Sequence, residues 1–173
     1  MTIFMNLSSG DHIAQLQMLQ SALVRSKKSL RVEIFGPGSL LADTALVFFD
    51  VLQNRRADLH VHIHTWTCLN EGAVLFWLGG DTRSMRSDTW IEIPELPESA
   101  GERFEVCRSV PASEESPAVT DMRTLLSHVG HWLPVSEVAG LRLFQHELSQ
   151  FGLLDDEQQN ENLVGYFNQP EIA

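Results

Sequence analysis

The pattern of apolar and polar positions divides this chain into short strands and helices in alternation. Thr2–Leu7 has strand character. Ser8, Ser9 and Asp11 follow, with side-chain oxygens suited to capping a helix start. Ile13, Leu16, Leu19 and Leu23 then form the stripe of an amphipathic helix that runs to about Lys28. Arg31–Phe35 reads as a second strand, ended by Gly36-Pro37-Gly38, and a helix over Leu40–Asn54 carries Ala42, Ala45, Leu46, Phe49 and Leu52 on one face. In a third strand, Leu59–Trp66, the two-residue alternation puts Leu59, Val61 and Ile63 on one side and His60, His62 and His64 on the other. A tight turn (Thr67–Glu71) leads to a helix (Gly72–Gly80) that is apolar all round, which predicts burial. A turn over Asp81–Asp88 and a strand over Thr89–Ile93 follow. The alternation predicts an α/β fold of repeated β/α units with a mainly parallel sheet.

Beyond Pro94 the pattern weakens. Glu95–Pro117 is rich in Pro, Glu and Ser, with one short strand candidate at Phe104–Val110, and reads as a surface excursion. A helix over about Ala118–Trp132 is ended by Pro134. Ser136 then opens a last helix whose stripe of Leu141, Phe144, Leu148 and Phe151 stops at Gly152. Asp155–Asn162 is acidic and polar, and the final residues are expected to fray.

Composition narrows the functional classes. At 173 residues the chain is long enough for one domain with a real core. A formal net charge of −11 argues against binding a phosphate backbone, which needs clustered Lys and Arg. No apolar run approaches the length of a membrane span, and the N-terminus lacks the pattern of a secretory signal, so a cytoplasmic protein is expected. Two cysteines, Cys68 and Cys107, make no disulfide framework. Glu95–Glu115 is either a solvated acidic loop or a docking surface for a basic partner. The His60, His62 and His64 face is a weak candidate for a metal, since no further ligand is visible in sequence; no metal or other cofactor is expected. Cys68 is either a small buried residue or a displaced nucleophile.

Several segments, in order, resemble the proteolytic subunit of the Clp protease, a serine peptidase of the ClpP/crotonase superfamily. Ile34-Phe35-Gly36-Pro37-Gly38-Ser39 is similar to the family's strand and Ser-Pro-Gly-Gly turn, and Phe48-Phe49-Asp50-Val51-Leu52-Gln53 to the helix after it. Cys68-Leu69-Asn70-Glu71-Gly72-Ala73 stands where the family has Ala-Ala-Ser-Met-Gly-Ala. Leu78-Gly79-Gly80-Asp81-Thr82-Arg83 fits the following turn, and Trp90-Ile91-Glu92-Ile93-Pro94 the strand carrying the catalytic His. Glu147–Asp155 is similar to the family's Glu-Ala…Gly-Leu-Ile-Asp ending.

The resemblance implies a ClpP/crotonase-like fold over residues 1–173, with 95–133 as a divergent, shortened counterpart of the helical handle that joins two stacked rings. It also implies that the catalytic triad is replaced. The nucleophile position holds Asn70 and the general-base position Glu92, while Pro134–Val138 offers no Asp for the third role. Backbone N–H groups of Gly38, Ser39 and Glu71 are the oxyanion-pocket candidates. Asn70 and Glu92 read either as a hydrogen-bonded pair filling a dead site or as a carboxyl with new acid–base work. The expected function is that of a non-catalytic Clp-protease-like protein, an oligomeric scaffold or regulatory subunit assembling with itself or with Clp-type subunits. The alternatives are a crotonase-like enzyme acting on an acyl thioester and a Clp-type peptidase with a displaced active site.

Overall fold

The computed structural model describes residues 1–7, 10–95 and 117–155. The strand candidate at Phe104–Val110, nearly all of the acidic Glu95–Glu115 stretch, the 96–116 part of the handle region, Ser8 and Ser9, and everything after Asp155 lie outside them.

Four strands, β1 (Thr2–Asn6), β2 (Ser29–Phe35), β4 (His60–Thr65) and β6 (Thr82–Met85), form one sheet in the order β1-β2-β4-β6 with every pair parallel. Parallel neighbours need a crossover, and helices supply it: α1 (His12–Arg25), α2 (Ala42–Gln53) and α3 (Gly72–Leu78). A second sheet of short strands stands at the ends of these units. It runs β3 (Gly38–Leu40), β5 (Leu69–Glu71), β7 (Trp90–Glu92) and β8 (Arg142–Phe144), parallel except for the last pair. Three further helices, α4 (Pro117–Val129), α5 (Val135–Val138) and α6 (Gln145–Gln150), complete the described residues. The predicted α/β class with mainly parallel pairing is what the chain adopts, divided between two sheets.

One face of the first sheet is apolar and sealed. Ile3, Met5, Leu30, Val32, Ile34, Val61, Ile63 and Met85 are all buried. Helix α3 lies at the centre of the packing, with all seven of its residues buried, as its uniformly apolar sequence predicts. Gly72 opens it because a Cβ there would lie 2.8 Å from the Leu40 carbonyl oxygen and collide with Ala45 on α2. Helix α4 packs on the α2–α3 pair, where Phe49 meets Trp132 edge to face with ring centroids 6.0 Å apart.

Several predicted elements differ in detail. Asp11 caps α1 by accepting from Ala14 N at 3.0 Å, and Ile13 of the expected stripe is exposed while Gln15 and Ala22 are buried. The predicted turns Thr67–Glu71 and Asp81–Asp88 contain β5 and β6. The predicted last helix is instead a short turn of helix (α5), strand β8 and then α6. Leu141, Phe144 and Phe151 are exposed, and Leu143 and Leu148 supply the buried contacts. The reason is the ladder: residues 142–144 pair with β7, and that pairing outweighs a helical stripe. Gly152 does end α6, with φ +67°.

Candidate functional site

The second sheet collects the residues of interest in one row. Ser39 on β3 is in register with Asn70 on β5. Leu69 pairs with Ile91, so the same register carries Glu92 on β7 beside Asn70, and Glu92 pairs in turn with Arg142 on β8. The alternate positions Leu40, Leu69, Ile91 and Leu143 are buried on the opposite face.

Two backbone features shape the row. Gly36 turns the chain out of β2 at φ +76°, and Gly38 allows β3 to approach β5 so closely that a Cβ would lie 2.5 Å from the Cys68 carbonyl oxygen. At the junction of β5 and α3, Glu71 sits at φ +50°, in the left-handed region that costs a non-glycine residue free energy. This sharp strand-to-helix turn presents Asn70 at the head of the buried helix.

The side chains pair differently from the expected Asn70–Glu92 bond. Glu92 Oε2 accepts from Arg142 Nε at 2.8 Å, and the Arg142 guanidinium lies over the Trp90 ring, 4.3 Å from its centroid. Asn70 Oδ1 is buried with no hydrogen-bond partner, and no hydrogen bond joins it to Glu92. Ser39 Oγ donates to Glu71 Oε2 at 2.6 Å, while the Ser39 N–H is turned back to the Pro37 carbonyl at 3.2 Å. The row therefore offers an amide, two hydrogen-bonded carboxylates, one guanidinium and one hydroxyl. Arg142 is the member that sequence reasoning missed; it lay within the predicted last helix, and only its pairing with Glu92 marks it.

The histidine face lies on the other sheet. His60 Nε2 and His62 Nδ1 each stand 2.9 Å from Thr82 Oγ1, and His62 Nε2 and His64 Nδ1 stand 2.8 and 2.7 Å from Ser84 Oγ. Thr82 and Ser84 alternate on β6 as the histidines do on β4, which is the sequence signal that would have found them. Among the described residues no group of three His, Cys, Asp or Glu side chains is placed to hold a metal ion. Cys68 is half-buried and free.

Beside the histidines, Glu33 is buried on β2. Its carboxylate is bound by Arg31 and accepts from Trp66 Nε1 at 2.5 Å. Burial raises the Glu33 pKa, but the hydrogen bonds from Arg31 and Trp66 and the Arg31 charge outweigh it and leave it below the ordinary carboxylate value. Burial pushes His62 and His64 below the ordinary imidazole value near 6.5, with the Arg31 charge adding to the effect. A base whose folded pKa is depressed is protonated more readily in the unfolded chain. Its contribution to stability is therefore full above about pH 6.5 and is lost as the pH falls from there toward the folded values. Glu33, also depressed, adds its own loss below about pH 4.5. Thermal melts are expected to show a falling Tm between pH 7 and 5, and a smaller fall when His62 and His64 are both replaced by Gln. A flat Tm over that range contradicts the burial of neutral imidazoles.

With this geometry in hand, solved structures provide the comparison. ClpP1 from Listeria monocytogenes superposes with a TM-score of 0.59 at 13% identity, over 88% of this chain and 88% of that one. The ClpP protease catalytic domain from Plasmodium falciparum gives 0.57 at 10% identity, over 89% of this chain and 82% of that one. The fold is ClpP-like. HypX from Aquifex aeolicus, in an engineered variant, also matches, with a TM-score of 0.57 at 13% identity, over 98% of this chain but 34% of that one. No protein-family model and no curated protein sequence matches the chain. None of the described helices is long and apolar enough to cross a membrane.

Proposed function

We propose that this chain, as one Clp-protease-like domain over residues 1–173, is a pseudo-peptidase. It serves in the cytoplasm as an oligomeric scaffold or regulatory subunit, assembling with itself or with Clp-type subunits. The observation that carries the reading is the row on the second sheet. Asn70, at the nucleophile position, has an amide with no hydroxyl to activate, and Glu92, at the base position, has its carboxylate committed to Arg142. Acyl transfer through a Ser-His-Asp relay needs a nucleophile, a base and an orienting group, and an amide next to an ion-paired carboxylate supplies neither the hydroxyl nucleophile nor the imidazole base. The oxyanion candidates are reduced too, since the Ser39 N–H is used inside its own turn. Fluorogenic peptides are expected to show no turnover above that of an Asn70→Ala, Glu92→Gln double variant. Hydrolysis that disappears on substituting either residue would overturn the reading.

A second reading rests on the two carboxylates, Glu71 and Glu92, that flank Asn70. It is an enzyme of crotonase type acting on an acyl thioester. A ligand that binds only the native state must raise Tm. An unchanged Tm in excess coenzyme A or acetyl-coenzyme A removes this alternative.

A further inference from the structure

We propose that the column His60–Thr82–His62–Ser84–His64 is a proton-binding site that takes up one proton and shares it among the three imidazoles. The inference concerns the first sheet and stands independently of the reading of the second.

Counting hydrogens along the column fixes its protonation states. Four hydrogen bonds of 2.7–2.9 Å link the column end to end, and each hydroxyl lies between two ring nitrogens. A hydroxyl has one hydrogen, so it donates to one ring and must accept from the other. Each of the two hydroxyls therefore requires one N–H, and only one, from the ring nitrogens facing it. Three neutral imidazoles supply three N–H groups. Two serve the hydroxyls, and the third points outward at one end, on His60 Nδ1 or His64 Nε2. His60 Nδ1 is 4.0 Å from Asp81 Oδ2, and His64 Nε2 is buried without a partner.

A fourth hydrogen fits with every bond kept. Both outward nitrogens are then protonated, and the charge sits on His60, His62 or His64. These three states interconvert by turning the Thr82 and Ser84 hydroxyls and passing a proton across a bond. A fifth hydrogen does not fit, because three N–H groups would then face two hydroxyls, and one bond would be lost.

Three carboxylates offset part of the cost of placing one positive charge here. Asp155 Oδ2 lies 3.7 Å from His62 Nδ1, Asp81 faces His60, and Glu33 is in register with His64. Opposing it, Arg31 is in register with His62, although it is bound to Glu33; Asp81 is likewise shared with Arg55. His60 is exposed while His62 and His64 are not, so the proton enters from solvent at one end and reaches the buried ring along the column. The polar face of the sheet thereby gains one charge with its hydrogen bonds intact.

Ring-nitrogen NMR of histidines across pH tests this on the intact protein. The expected result is one common midpoint for His60, His62 and His64, each with a fraction of the full shift and together summing to one proton. The second proton enters at least about one pH unit lower, because it costs a buried hydrogen bond. Thr82→Val disconnects His60, which then titrates alone with full amplitude, whereas Thr82→Ser keeps the hydroxyl and the shared midpoint. Three independent full-amplitude curves in the wild-type protein would overturn the proposal. That outcome is readable without any variant, so it holds even if Thr82→Val fails to fold.

Discussion

Replacing Trp77 by Ala is expected to lower stability by about 4 kcal/mol, the middle of the range for deleting a buried aromatic side chain. Trp77 is fully buried on α3, which packs against α2, α4, β3, β4 and β5. Its indole fills the space between that helix and β6, where Nε1 donates to the Ser84 carbonyl at 3.2 Å. Truncation removes the ring's contacts and the donor together. At roughly 2–4 °C per kcal/mol for a chain of this size, Tm should fall by about 12 °C. Urea unfolding checks the figure, and a loss below about 1 kcal/mol would contradict the central position of α3.

Arg83→Met is expected to cost about 3 kcal/mol, from hydrogen bonds of a charged donor to carbonyls left unsatisfied. The guanidinium ties three points of the chain. Nη1 donates to the Leu78 and Gly80 carbonyls at 3.1 and 2.7 Å, at the negative end of α3. Nε donates to Leu153 O at 2.9 Å, and the Arg83 carbonyl accepts from Asp155 N, also at 2.9 Å. Burial lowers the Arg83 pKa, with Asp81 acting against it, yet a guanidinium stays charged throughout the working range. Beyond the global loss, hydrogen exchange at the Asp155 amide should quicken, because its partner strand end is no longer anchored. Arg83→Lys, a point charge in place of a fork, should recover only part of the stability. An unchanged exchange rate at Asp155 would show that Arg83 does not hold the segment after α6 to the sheet.

Much of the first sheet was legible from residues alone. The alternation in Leu59–Trp66 correctly separates Val61 and Ile63 from the histidines, because a strand with one sealed face must alternate. The apolar run Ala73–Leu78 correctly signals a buried helix. Of the second sheet only β7 was legible, inside the predicted strand Thr89–Ile93. β3, β5 and β8 have three residues each and read Gly-Ser-Leu, Leu-Asn-Glu and Arg-Leu-Phe, too short for a period to form. They exist because neighbouring strands pair with them, which is information held elsewhere in the chain. The candidate site inherits this limit. Asn70 and Glu92 were singled out from the family resemblance, whereas the Ser39–Glu71 bond and the Arg142 partner of Glu92 depend on strand order. A hydrogen-bonded Asn70–Glu92 pair was a reasonable expectation from their proximity, and it failed because Arg142 is the stronger, charge-assisted donor.

The measurement that tests the scaffold reading most directly is the native mass of the protein isolated from its own cells, with any companions identified. An assembly larger than one chain is expected, built from copies of this chain or mixed with active Clp-type subunits. A lone monomer with no companions would contradict it.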